Sequence, residues 1–148
     1  MTIVPASSDD LGAIRQLLQE ADLPYTDLTH HHMTNYLVAR KNNHGIAAIV
    51  GMEIFGEDAM LRSLVVAQEH RGTGIGELMI AAAEKRAMAL GVGTIFLLTT
   101  KADRYFATRG YVETPKEDVP AIIKKTDEFR ILSPGTAVCM SRELRSGA

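Results

Sequence analysis

The sequence predicts a mixed α/β fold, a mostly antiparallel sheet carrying one central parallel pair of strands. Three observations predict it. Residues 36 to 66 hold three apolar runs separated by turn signals, the pattern of an antiparallel meander. The apolar period then changes to a helical one over residues 75 to 90, directly after a glycine-rich stretch. A continuous apolar run, Thr94-Ile95-Phe96-Leu97-Leu98-Thr99, follows that helix. Strand, helix and a second strand buried on both faces make a βαβ unit, and its two strands run parallel.

Each element follows in order. Ile3 and Val4 read as a short first strand. Ser7 or Ser8 can cap a helix whose first turn holds Asp9 and Asp10, and Leu11, Ile14, Leu17 and Leu18 recur at helical spacing. Pro24 lies beyond its end. Tyr36-Leu37-Val38-Ala39 is a strand, Asn42-Asn43-His44-Gly45 a turn, Ala47 to Ile54 a second strand, Phe55-Gly56-Glu57-Asp58 a turn, and Leu61 to Val66 a third strand. Ile75, Leu78, Met79 and Ala82 mark one face of the next helix, which Gly91 stops. A short helix over 101–109 ends at Gly110. A further helix is predicted over 117–129, and Ala137-Val138-Cys139-Met140 is the last strand.

The chain has 148 residues, one domain's worth, with 46% apolar and 23% charged residues. A net charge of −2 points to neither a nucleic-acid nor a membrane partner. Cys139 is the single cysteine, so no disulfide can form within the chain and no cysteine zinc site is available. No apolar run approaches the roughly 20 residues that span a bilayer. Met1 to Pro5 lacks the basic and apolar segments of a secretion signal, and the polar tail Arg145-Ser146-Gly147-Ala148 is expected to fray. The expected location is cytoplasmic.

Arg71-Gly72-Thr73-Gly74-Ile75-Gly76 lies at a strand-to-helix junction. The first amides of a helix have no intrahelical partner and carry the positive end of the dipole. Glycines let the backbone close on a ligand, and Arg71 adds a permanent cation, so the segment reads as an anion site. A P-loop needs Gly-Lys-Ser/Thr at its end, but Glu77 and Leu78 follow Gly76. A dinucleotide fingerprint follows the first strand of a parallel sheet, whereas this loop follows a meander.

These residues resemble the Q/R-x-x-G-x-G/A signature of the GCN5-related N-acetyltransferases (GNAT). The resemblance covers roughly residues 1–142 and is most specific over 61–111. It implies one acyltransferase domain over 1–148, with acetyl-CoA as cosubstrate. The stretches Leu61-Arg62-Ser63-Leu64-Val65-Val66 and Leu97-Leu98-Thr99-Thr100-Lys101-Ala102 resemble the acetyltransferase domain of N-acetylglutamate synthases. Asp118-Val119-Pro120-Ala121, Asp127-Glu128-Phe129, Ser133-Pro134 and Ala137 to Met140 look closer to small N-acetyltransferases associated with arsenic resistance. Both imply a small-molecule acceptor, an amino acid or amino-acid-like toxin; direct transfer in a ternary complex is expected because no Cys or Ser is obviously activated for a covalent intermediate. The resemblance puts the pyrophosphate on Arg71, Gly72, Thr73, Gly74, Ile75 and Gly76, and the pantetheine arm against the backbone of Leu64, Val65 and Val66. Thr99 and Phe106 are the further cofactor contacts that the resemblance implies. It also allows a homodimer through exposed sheet edges.

Many family members protonate the leaving thiolate with a tyrosine in the short helix after the second parallel strand. Alignment on Gly110-Tyr111 puts Phe106 there, with Tyr105 about 100° round the helix, so the usual acid is missing and Tyr105 or a water is the candidate substitute. Phe106 motivates the rival reading, a non-catalytic acyl-CoA sensor or partner subunit. Glu53 is either the base that takes the acceptor's proton or a solvated strand-end carboxylate. Arg62 either binds an acceptor carboxylate bidentately or pairs with a surface acid. His30-His31-His32 resembles a metal motif, but adjacent residues share no face, so no metal is expected and the run reads as acceptor-pocket lining. Cys139 reads as a buried small hydrophobe.

Overall fold

Thr2–Pro5 (β1) pairs antiparallel with Tyr36–Arg40 (β2), and β2 with Ile46–Phe55 (β3). These strands open the sheet of a computed structural model that describes residues 1–42, 45–132 and 135–144. Positions Asn43, His44, Ser133 and Pro134 and the tail Arg145 to Ala148 lie outside the described residues. The turn at Gly56, where φ is +68°, leads from β3 into Asp58–Val66 (β4). The remaining strands are Thr94–Thr99 (β5), Val112–Glu113 (β6) and Val138–Glu143 (β7). The sheet order is β1-β2-β3-β4-β5-β7-β6, with β4 and β5 its parallel pair. This is the predicted fold class.

The helices are Leu11–Glu20 (α1), Ile75–Ala89 (α2), Asp103–Ala107 (α3) and Ala121–Lys124 (α4). A single 3-10 turn, Ser8–Asp10, precedes α1, and the Asp10 carboxylate accepts the Ser7 N–H at 2.8 Å. Among the described residues no helix is long and apolar enough to cross a membrane.

The chain divides into two compact units. The first holds Met1–Glu53 and Arg62–Arg86. Its core is Ile14, Leu18, Leu28, Met33, Tyr36, Val38, Ile49 and Val65. The second holds Ile54–Leu61 and the chain from Ala87 onward. Within it Asp58, Ala59 and Met60 pair with Thr94, Ile95 and Phe96, while β7 pairs with β5 and β6. Its core gathers Met60, Phe96, Val119, Ile123 and Cys139.

Three expectations change. The buried face of α2 is Ile75, Met79, Ile80, Ala83 and Ala87, whereas Leu78 is exposed. The strand β6 carries no apolar alternation and goes unpredicted. The helix predicted over 117–129 is broken into a 3-10 turn at Lys116–Asp118, α4, and a π-type turn at Glu128–Leu132. Pro120 is the reason at its start. The residue before a proline is pushed out of the helical region, and Val119 is extended at φ −79°, ψ 136°. At the other break the Thr126 hydroxyl donates to the Ile123 carbonyl and accepts the Phe129 N–H.

Candidate functional site

The loop after β4 carries the predicted anion-site residues Arg71 to Gly76. A 3-10 turn, Gln68–His70, leads into it, and α2 begins at Ile75. Gly72 and Gly74 have φ of +79° and +84°, a left-handed region that glycine enters without steric penalty. A Cβ on either would meet open space. The side chain of Thr73 donates to the His70 carbonyl and Arg71 Nε donates to the Val66 carbonyl, so the loop is fixed by its own bonds. The Leu78 N–H gives the Gly74 carbonyl the first helical bond. The amides of Ile75, Gly76 and Glu77 therefore lie ahead of the helical ladder, at the positive end of a 15-residue helix.

A second constellation lies in the same unit. Arg62 on β4 is 4% exposed. Its Nη1 and Nη2 donate to Asp27 Oδ2 and Oδ1 at 2.6 and 2.8 Å, a bidentate pair, and Nη1 also donates to Glu53 Oε2 at 3.0 Å. The other oxygen of Glu53 faces His32 Nε2 at 3.9 Å. Two of the sequence candidates, Glu53 and Arg62, thus meet. Arg62 is not on the rim: its fork is engaged by Asp27, which no motif singled out. Asp27 precedes Arg62 by 35 positions in an irregular stretch, with no periodicity to mark it.

His32 has a defined tautomer. Its Nδ1 accepts the Thr29 backbone N–H at 3.1 Å, and an amide can only donate, so in the neutral ring Nε2 carries the proton. His30 takes the opposite form, with Nδ1 donating to the Ser8 carbonyl at 3.0 Å. The run therefore sits in the 3-10 segment His30–Asn35 as a cap and a tether. Asp27, His32 and Glu53 offer ligand atoms within 4.8 Å of one another. Two features work against a cation there. Arg62 already occupies both Asp27 oxygens and one of Glu53, and the His32 nitrogen that faces them bears a hydrogen.

Burial pulls the Asp27 carboxyl upward, but the Arg62 hydrogen bonds and positive charge outweigh it, and its pKa ends below the ordinary 3.8. Asp10 behaves alike: burial raises it, Arg40 lowers it further, and the net is downward. A depressed carboxyl adds stability above its unfolded pKa and loses it as pH falls through the folded one. Thermal unfolding is expected to be flat in pH above about 5 and to fall steeply below about 4. Asp27→Asn should flatten that acid limb, and an unchanged limb would remove Asp27 as its source.

The remaining candidates lie in the second unit. The Thr99 hydroxyl accepts the Ala102 N–H at 2.9 Å. Phe106 is buried on α3, edge-on to Tyr105 and Tyr111 at ring separations of 5.4 and 5.5 Å. Tyr105 is half-buried, with the Arg109 guanidinium 5.6 Å from its ring centre. Burial pushes the Cys139 thiol up to about 11, which leaves it inert as a nucleophile near neutrality.

Comparison with known proteins adds three findings. The model of the family described as "Acetyltransferase (GNAT) family" matches residues 7–112. An amino-acid acetyltransferase of Ralstonia nicotianae is 32% identical over 123 residues, covering 78% of this chain and 27% of that protein. One from Pseudomonas putida is 28% identical over 123 residues, covering 78% and 28%. The chain thus spans about a quarter of the length of these two curated relatives. Among solved structures, N-acetylglutamate synthase from Neisseria gonorrhoeae, complexed with coenzyme A and N-acetyl-glutamate, superposes with a TM-score of 0.84 at 19% identity over 98% of this chain and 35% of that one. Rv2747 from Mycobacterium tuberculosis, solved in complex with CoA, gives 0.80 at 19% identity over 98% of this chain and 100% of that one. At such identity the likeness speaks for the fold.

Proposed function

The chain belongs to the GNAT acetyltransferase family, and from that premise we propose that it transfers an acetyl group from acetyl-CoA to the amine of a small amino acid or amino-acid-like compound. The observation that carries this reading is the loop at the head of α2. Two left-handed glycines, an arginine and the leading amides of a long helix suit a pyrophosphate. The amino-acid acceptor is supported by the Ralstonia and Pseudomonas relatives and by the Asp27-Arg62-Glu53-His32 constellation.

In the proposed reaction the acceptor's ammonium first loses a proton. Its nitrogen then attacks the thioester carbonyl, a C–N bond forms, the C–S bond breaks to release CoA as thiolate, and the second proton shed by the nitrogen passes through water to that thiolate. Glu53 takes the first proton in this scheme. Arg62 holds Oε2, leaving Oε1 as the oxygen turned toward His32. The charges of Arg62 and Asp27 cancel, so the constellation keeps the one negative charge of Glu53, which favours a cationic amine. A thiol of pKa about 8.5 leaves tolerably without an acid, so Phe106 is compatible with turnover.

The test is CoA release on incubating the protein with acetyl-CoA and a panel of amines. The panel holds glutamate, its analogues and, following the resemblance to arsenic-resistance enzymes, glutamate-like toxins. Turnover of a member is the expected result. Acetyl-CoA binding with no turnover on any of them would favour the non-catalytic sensor. With an acceptor in hand, Glu53→Gln is expected to lower kcat by about 10² to 10⁴-fold while leaving CoA affinity unchanged. A loss under about threefold would reduce Glu53 to a strand-end carboxylate.

A further inference from the structure

Ser63 lies in the middle of β4 with φ +63°, a left-handed conformation that side chains other than glycine rarely adopt. Such an outlier persists only where its surroundings hold it. Here the holder is visible. Tyr36 on β2 is fully buried, and its hydroxyl lies 2.6 Å from the Ser63 Oγ, itself in a residue 7% exposed. The Tyr36 ring reaches that position by lying across Gly51, its partner in the β2–β3 ladder. A Cβ at Gly51 would stand 2.1 Å from the ring. Tyrosine, glycine and serine, from three different strands, are therefore fitted to one another.

The left-handed residue falls between two functional stretches. On one side is Arg62, whose side chain holds Asp27 and Glu53. On the other are Leu64, Val65 and Val66, whose backbone would meet the pantetheine arm. Every residue from Ala59 to Ser63 is buried, and the burial alternates only from Leu64 onward. The left-handed residue thus lies immediately before Leu64–Val66 in the strand.

We propose that Tyr36 is a positioning residue for the cofactor strand: its buried hydroxyl pins Ser63 in the left-handed turn and so aims the backbone of Leu64–Val66 at the CoA arm. This rests on the acetyl-CoA reading above. Two measurements separate the two ideas. One is CoA affinity by titration calorimetry without acceptor. The other is amide hydrogen exchange at Leu64–Val66 in the ligand-free protein, which needs no cofactor. Tyr36→Phe is expected to weaken CoA binding about tenfold and to speed exchange at these amides. Ser63→Ala removes the other half of the bond, keeps the ring packing, and is expected to act in the same direction. Ser63→Gly placed on Tyr36→Phe should restore affinity to within about threefold, because glycine holds the left-handed angle unaided. A merely structural role would lower the thermal midpoint yet leave CoA affinity and local exchange as in the wild type, and that result overturns the proposal. If the wild type binds no CoA, the acetyl-CoA reading falls. Unchanged exchange in Tyr36→Phe would then reject the pin as well.

Discussion

Asp27→Ala is expected to lower the unfolding free energy by about 3 kcal/mol, most of the margin of a weakly stable domain. The Arg62 side chain is wholly buried and Asp27 nearly so. Removing Asp27 leaves a guanidinium away from water that has lost its bidentate carboxylate, with Nη1 still donating to Glu53. Breaking a buried pair by deleting one member costs far more than deleting a surface pair, because the survivor keeps its desolvation penalty. Asp27→Asn keeps the shape and one acceptor oxygen, so it should fall between the two. Urea denaturation at neutral pH measures the difference. A cost below about 1 kcal/mol, the range of exposed pairs, would mean that water reaches Arg62 and that the pair is no pillar of the site.

The double substitution Gly72→Ala, Gly74→Ala is expected to weaken CoA binding by about a hundredfold while reducing stability by only about 2 kcal/mol. The two effects have separate origins. Each left-handed residue costs about 1 kcal/mol or slightly more once it carries a Cβ. Neither Cβ clashes with the protein, since the space around both glycines is open. That open space is where a phosphate would approach the amides ahead of α2, and two methyl groups would fill it. Calorimetric titration of CoA against the folded variant tests this. Unchanged affinity would leave the loop as a glycine-rich turn with no ligand.

The parts that sequence reading captured are those with a local signal. The meander, α2 and β5 appear as runs whose period is fixed by backbone geometry. The loop appears because left-handed angles demand glycine at Gly72 and Gly74, so its conformation is written into its composition. The break of the helix predicted over 117–129 is also local in origin. Pro120 breaks the segment by pushing Val119 out of the helical region. Spacing puts Leu78 on the buried face, but burial depends on what packs opposite, which spacing does not encode.

The acceptor constellation and the strand pin are of another kind. Asp27 meets Arg62 across 35 positions, and Tyr36 meets Ser63 across 27. Each residue alone is ordinary, and its meaning arises when distant segments are brought within hydrogen-bond reach. Gly51 is the sharpest case: in the sequence it is a glycine that weakens a strand, and in the fold it is the one residue that leaves room for Tyr36. By itself the sequence determined the sheet class, the parallel pair and the left-handed glycines of the loop, because each is set by neighbours along the chain. The tertiary structure alone decided that Arg62 meets Asp27 and Glu53, and that the Tyr36 hydroxyl meets the left-handed Ser63. Those contacts depend on how the strands register, and register is fixed by packing across the sheet.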